Sequence, residues 1–134
     1  IRYPHGNFNL YSSNGYSEYA MNEFKQINNL TGDVRELVKD KEILKLWTEY
    51  RCNKITKLME ETRKLVKRIR PSCFISTAVC SDINYAVNNK MQNWEIWARQ
   101  GWLDLTLPMA YYIGCSEIAV ATESRAWHKT ANRF

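Results

Sequence analysis

Two nearly continuous apolar runs constrain the fold most strongly. The first is CFISTAVC at residues 73–80, and the second is WLDLTLPM at residues 102–109, where Pro108 ends the run. Unbroken apolarity over the length of a strand is typical of strands that are covered on both faces, as in parallel sheets. The interval between the runs is long enough for a right-handed crossover helix. The sequence therefore predicts two parallel strands of an α/β fold.

A long helix is predicted ahead of the first run, over residues 41–69. Its apolar residues recur at three- and four-residue spacing, which indicates a stripe facing a core. Arg70 ends the helix because the residue before Pro71 is pushed out of the helical region. The stripe consists of Leu44, Trp47, Ile55, Leu58, Leu65 and Ile69.

Shorter helices are predicted on either side. Ser17 caps a short helix, which the segment NNLTGD at residues 28–33 breaks. Residues 82–89 form a polar loop, residues 90–100 form a helix that Gly101 ends, and residues 117–133 form a further helix. The apolar sides of the first two of these helices hold Tyr19, Ala20, Phe24 and Ile27, and Met91, Trp94 and Trp97, respectively.

The start of the chain indicates that the sequence is part of a larger domain. IRYP at residues 1–4 has the character of the tail of a strand, and HGNFNLYSSNG at residues 5–15 that of a long loop, of a length that is often functional. The first strand is too short to hold a sheet together, and no strand follows the last helix. The pairing partners of this sheet are therefore expected elsewhere in a parent chain.

Composition and charge exclude few functions. Hydrophobic residues make up 45% and charged residues 25%, as in an ordinary globular protein. The net charge is +5, with an excess of Lys and Arg over residues 45–70. That excess is explained by a solvated helix face or, alternatively, by nucleic-acid binding. The four cysteines form no C-x-x-C pair, so no zinc site is predicted. No apolar stretch of about 20 residues is present, so no membrane span is predicted in this segment.

Polar and aromatic side chains follow each predicted strand. The segments are RYPHGNF at residues 2–8, VCSDINY at residues 79–85 and PMAYYIG at residues 108–114. The carboxyl ends of parallel strands meet at one rim, where the following loops build the site. This pattern is expected of a sugar-binding mouth, although a packed loop has a similar composition.

The order of these motifs resembles the glycosyl hydrolase-like family 10. The resemblance rests on IRYP followed by a long loop, YSEYA, a long helix ending at a proline, STAV, and the tryptophans that precede GWLD and PMAY. Ala110 stands where the family often has asparagine. The resemblance covers nearly the whole chain and implies a (β/α)8 barrel, of which this chain supplies about three parallel βα units over residues 1–134.

The resemblance also implies a function. The family is one of bacterial glycosidases, which implies hydrolysis of a polysaccharide such as cell-wall glycan, without a cofactor, in the cell envelope or outside the cell. Family members carry aspartates just upstream of the position of Ile1, and these are the carboxylates most expected to act in catalysis. The excerpt alone is therefore expected to be inactive, because it lacks them and most of the barrel.

Two rim carboxylates are candidates within the chain. Glycoside hydrolysis usually requires one protonated carboxyl group and one ionised carboxylate. Asp82 directly follows the first apolar run and is the predicted catalytic residue, although it can equally cap a helix or form an Asx turn. Glu117 is a predicted substrate contact, and the start of a helix favours a carboxylate in any case. Asp104 is excluded, because it lies at the entering end of its strand.

The other predicted substrate-binding residues are Arg2, Tyr3, His5, Tyr111 and Tyr112. Arg2 can hold a carboxylate in a bidentate pair or form a structural salt bridge. The tyrosines offer rings and hydroxyl groups to sugars, and one of the last two is expected to face the core. His5 is a possible acid or base, or an ordinary loop histidine. The alternatives to a glycosidase are a non-catalytic carbohydrate-binding barrel and a basic nucleic-acid-binding α/β module.

Overall fold

The computed structural model describes residues 15–109, which form five helices and two strands. The predicted strand at residues 1–4, the loop that follows it and the helix at residues 117–133 lie outside this range. The elements are α1 (Glu18–Asn28), α2 (Val34–Leu37), α3 (Lys41–Ile69), β1 (Ser76–Cys80), α4 (Ile83–Lys90), α5 (Trp94–Arg99) and β2 (Leu105–Met109). The described part is mixed α/β and mostly helical.

The two strands pair in parallel, as predicted. Ser76 aligns with Leu105 at one end, and Cys80 aligns with Met109 at the other. Both strands are shorter than the apolar runs that contain them. Parallel pairing brings the carboxyl ends of β1 and β2 to one edge of the sheet, which is where α/β proteins form their sites.

Helices cover one face of this sheet. Val79 of β1 is fully buried and packs in a core with Met59, Ala86, Trp94 and Trp97. On the other face, Ala78, Leu105 and Leu107 are exposed among the described residues. The prediction of strands covered on both faces is therefore met on one face only, because no described element packs on the second.

Helix α3 spans residues Lys41–Ile69, as predicted. Asp40 caps it by accepting hydrogen bonds from the N–H groups of Glu42 and Ile43. The helix ends at the Arg70-Pro71 pair, whose geometry excludes a further helical turn. Local signals thus define both ends of this element.

Two separate cores share α3. Near its start, Trp47 packs with Tyr16, Phe24, Val34 and Val38. Further along the helix, Met59 packs in the second core, beneath β1.

The predicted apolar stripe of α3 is only partly buried. Trp47 is fully buried, but Leu58, Leu65 and Ile69 are exposed. Periodicity predicts which residues share a face, and burial of that face needs a neighbour. No described element covers this part of α3.

Helix α1 begins and ends where the sequence predicts. The Ser17 hydroxyl accepts a hydrogen bond from the Ala20 N–H, and Asn29 ends the helix in the left-handed conformation. Phe24 is fully buried, but Tyr19 and Ile27 are exposed. The buried face of α1 is therefore narrower than the predicted apolar side. The short helix α2, which follows within the next loop, was not predicted.

The prediction for residues 82–100 is partly wrong. Residues 83–90 form α4 instead of a loop, because Asp82 caps the helix and Ala86 is buried in the core. Met91 ends α4 in the left-handed conformation, so the predicted single helix over residues 90–100 is replaced by a short link and α5. Gly101 ends α5 with a φ of +65°, as predicted.

Pro108 lies inside β2, where a terminating role was predicted. The Leu105 N–H donates to the Ile75 carbonyl on the side of β1. Successive residues of a strand point their backbone groups to opposite sides, so Pro108 turns its nitrogen away from β1. The missing N–H therefore breaks no bond between these two strands.

Asp104 holds the amino ends of the strands together. Its carboxylate accepts hydrogen bonds from the Ile75 N–H at 2.8 Å and from Arg63 at 2.9 and 3.0 Å, and Lys67 lies 3.1 Å away. The exclusion of Asp104 from the site agrees with this structural role. Exposed basic residues of α3 include Lys45, Lys57 and Arg68, and nucleic-acid binding by this helix stays a prediction.

Acid titration of Asp104 tests this role. The Ile75 N–H and the Arg63 guanidinium lower the pKa of Asp104 from the ordinary 3.8 to about 2. A lowered folded-state pKa means that the carboxylate stabilises the fold above about pH 4 and loses this effect as the pH falls towards 2. We expect Asp104→Asn to lower the urea midpoint at neutral pH and to flatten its decline over this acid range.

Asp33→Asn is the matched control, because asparagine also caps a helix well. That variant should retain the acid-dependent decline of the unmodified protein. Parallel stability curves for Asp104→Asn and the unmodified chain from pH 4 to 2 would contradict the assigned role.

Candidate functional site

Contacts along α3 show which part of the molecule lies beyond the carboxyl end of the sheet. Arg63 and Lys67 reach Asp104, just before β2. One turn earlier Met59 packs with Val79, and earlier still the Cys52 thiol donates to the Val87 carbonyl of α4. Helix α3 thus runs against the strand direction. Its first half lies on the side where the strands end.

Asp82 lies at this edge, two residues after β1. It is exposed, and one carboxylate oxygen accepts a 2.6 Å hydrogen bond from the Tyr85 N–H. This bond caps α4, so the capping alternative is observed. The second carboxylate oxygen accepts no hydrogen bond from any residue in the described range. A catalytic role for Asp82 stays a prediction.

A cleft of about 490 Å³ lies between the first half of α3 and the end of α4. Leu44, Cys52 and Val87 form its apolar part. Its polar lining consists of Lys41, Lys45, Thr48, Glu49, Asn53, Asn88 and Asn93.

The three asparagine side chains give this cleft its chemistry. They come from α3, from α4 and from the start of α5, and within residues 15–109 none of their amide groups takes part in a hydrogen bond. Each amide offers two donor hydrogens and an acceptor oxygen. The cleft therefore offers hydrogen-bond donors and acceptors to a polar ligand, beside the charged Lys41, Lys45 and Glu49.

Cys52 contributes no nucleophile to the cleft. Its side chain is buried, and burial raises the pKa of the thiol to about 11. The reactive form of cysteine is the thiolate, which is scarce at neutral pH when the pKa is this high. Burial also raises the pKa of Cys80, at the end of β1. Cys52 is thus a buried residue, whereas Cys80 is half-buried and packs against the second core.

Gln92 fixes the carboxyl end of β1. Its side-chain oxygen accepts from the Cys80 N–H at 3.2 Å, and its side-chain nitrogen donates to the Ala78 carbonyl at 3.5 Å. The Trp94 indole N–H donates to the Cys80 carbonyl at 3.1 Å. The amide of Gln92 thus satisfies the same edge groups that a neighbouring strand would bind.

Sequence reasoning missed Gln92. Only 4% of its surface is exposed, although glutamine is usually a surface residue. The available signal was its position between Met91 and Trp94, both of which are apolar and buried. A polar residue enclosed by buried neighbours needs a hydrogen-bond partner, and here the strand edge supplies it.

The remaining predicted site residues lie outside the described part of the chain. These are Arg2, Tyr3, His5, Tyr111, Tyr112 and Glu117. Their proximity to Asp82 therefore stays a prediction. Among residues 15–109, no helix is long and apolar enough to cross a membrane.

A parallel α/β layer with a polar cleft beyond its strand ends defines a class of enzymes and ligand-binding domains. The model of one protein family, glycosyl hydrolase-like 10, matches residues 5–133. The chain therefore belongs to the glycosyl hydrolase-like 10 family, as its motifs indicate. It has no significant match among curated proteins or among solved structures.

The role of Gln92 can be tested with Gln92→Leu. Leucine has a similar volume but leaves the Cys80 N–H without its partner, and an unpaired buried group costs about 1–3 kcal/mol. We expect the free energy of unfolding in urea to fall by about that amount. The matched control is Gln26→Leu on the exposed side of α1, expected to change it by no more than about 0.5 kcal/mol. Equal effects of the two changes would contradict the role.

Proposed function

We propose that this chain is the central part of a (β/α)8 glycosidase that hydrolyses a polysaccharide, with bacterial cell-wall glycan as its substrate class. Membership of the glycosyl hydrolase-like 10 family carries this proposal. A glycosidase acts on a long, oxygen-rich ligand without needing a cofactor. The cleft beyond the carboxyl end of the sheet suits such a ligand.

The sheet supports the barrel in this proposal. Its uncovered face exposes Leu105 and Leu107 of β2 beside Ser76 and Ala78 of β1. A (β/α)8 barrel fills its interior with side chains of this face, while helices cover the other. The parent chain would supply the remaining strands, and burial of these leucines would then stabilise the closed barrel.

The chemistry requires two carboxyl groups. Asp82 is the candidate within the described range, because it is exposed beyond β1 and one of its oxygens accepts no hydrogen bond from residues 15–109. It would act as general acid or as the ionised partner. The second carboxylate would come from the aspartates expected upstream of Ile1 or from Glu117. The excerpt alone would bind sugar without hydrolysing it.

One observation favours a second candidate, a non-catalytic carbohydrate-binding barrel. The 2.6 Å bond from the Tyr85 N–H engages Asp82 in a structural cap. If Asp82 serves only as a cap, the cleft would bind glycan without chemistry.

Asp82→Asn separates capping from catalysis. Asparagine caps helices about as well as aspartate but can neither donate a carboxyl proton nor act as a carboxylate. In the complete parent protein, we expect the urea midpoint to stay unchanged and the release of reducing ends from cell-wall glycan to fall roughly 100-fold or more.

Two further variants control this experiment. Asp82→Ala should lose the same activity and also about 1 kcal/mol of stability. Asp33→Asn, at the cap of α2, should change neither. Full activity in Asp82→Asn would remove Asp82 from catalysis. Glycan binding without any hydrolysis by the unmodified parent protein would establish the binding barrel instead.

A further inference from the structure

Three buried polar atoms that have no hydrogen-bond partner among residues 15–109 lie in one cluster. They are the Tyr16 hydroxyl, the Trp47 indole nitrogen and the Nε of Arg51. Their side chains contact each other through Trp47: the Tyr16 ring centroid lies 5.1 Å away, and the Arg51 guanidinium lies over the indole at 5.4 Å. We define these three residues as the Trp47 cluster.

The cluster contains an uncompensated positive charge. Arg51 is partly exposed, and no hydrogen bond or ion pair engages its guanidinium within residues 15–109. Burial lowers the pKa of Arg51. A cation withdrawn from water without an anion is unfavourable, so such a site favours a bound anion.

The backbone beside Arg51 leaves space for its side chain. A Cβ at Gly15 would lie 3.1 Å from the Cδ of Arg51, and Gly15 has a φ of +89°, which other residues rarely adopt. Any larger residue at position 15 would press on Arg51. The Arg51 side chain therefore lies between the Gly15 backbone and the Trp47 ring.

From this cluster we infer a binding site for a carboxylate group. The guanidinium is a planar fork that matches the two oxygens of a carboxylate. The Tyr16 hydroxyl and the Trp47 indole N–H are two further donors of the same cluster that have no partner among residues 15–109. One cation with two neutral donors suits a single negative charge better than the two charges of phosphate.

The Trp47 cluster and the cleft lie along the same half of α3. Arg51 lies over Trp47, one turn earlier on α3, on a different face of the helix from Cys52 and Asn53, which line the cleft. It lies in the same half of α3 as the cleft, the half beyond the carboxyl end of the sheet. The inference rests on the proposed glycan binding in one respect: it names an acidic sugar as the class of substrate. The carboxylate site itself can be tested without any hydrolysis.

The test compares ligands on the full-length protein. Sodium glucuronate supplies a sugar carboxylate, glucose with sodium chloride supplies the same ring and ionic strength without it, and sodium acetate supplies the carboxylate without the sugar. We expect glucuronate and acetate to raise the melting temperature above the glucose and chloride reference. An equal rise with glucose and chloride, or a larger rise with inorganic phosphate, would overturn the inference.

Arg51→Met tests whether the arginine is a binding or a structural residue. Methionine keeps an apolar contact with Trp47 and removes the unpaired charge. The ligand-free protein should be as stable as before or more stable, whereas affinity for glucuronate by calorimetry should fall roughly ten- to hundredfold. Arg68→Met removes an exposed charge from the same helix and should leave the affinity unchanged. A clear loss of ligand-free stability in Arg51→Met alone, with unchanged affinity, would show a structural residue.

Tyr16→Phe provides a second, milder variant. It deletes a hydroxyl that has no partner in the described part of the chain, so the ligand-free melting temperature should not fall, while glucuronate affinity should fall severalfold. The two proposals fail separately. If the unmodified protein binds neutral glycan but not glucuronate, the carboxylate site alone is refuted. If it binds glucuronate but neither binds nor cleaves glycan, the proposed function alone is refuted.

Discussion

The packing of α3 against two cores is the constraint on which the rest of the structure depends. Trp47 fixes the first half of this helix to α1 and α2, and Met59 fixes its middle beneath β1. The helix has 29 residues and no proline, so it holds the two cores at a fixed distance and orientation. The cleft, whose walls are α3 and the α4–α5 region, takes its shape from this one rigid element.

The two ends of the sheet differ in how their polar side chains are paired. At the amino end, Asp104 collects a backbone N–H and two basic side chains, so each of these charges has a partner. At the carboxyl end, the asparagine amides of the cleft and the guanidinium of Arg51 have none within the described range. In α/β barrels the amino face serves stability and the carboxyl face serves function. In the described part, the carboxyl end combines the edge groups that Gln92 and Trp94 bind with polar side chains that remain open to a ligand.

Sequence patterns predicted the elements whose signals are local. Asp40 and the Arg70-Pro71 pair define α3 through capping and steric exclusion, and both act within a few residues. The parallel pairing of β1 and β2 also followed from the sequence, because the interval between two apolar runs limits how they can connect. Family membership was indicated in the same way, by the order of the motifs along the chain.

The errors occur where tertiary contacts decide. The asparagines of residues 83–90 favour a loop, but burial of Ala86 and the Asp82 cap make this segment helical. Gln92 is polar in sequence and buried in the structure, because it completes a strand edge that no local pattern reveals.

The exposed half of the α3 stripe leads to a more general conclusion. Leu58, Leu65 and Ile69 repeat at helical spacing as regularly as residues of a buried face, yet they are exposed here. Leu105 and Leu107 on the uncovered face of the sheet are in the same situation. Apolar surface of this kind on both a helix and a sheet is costly in water and is usually buried against a partner. The same burial by the rest of a closed barrel would also hold the carboxyl ends of the strands, and with them Asp82, in a fixed position relative to the cleft.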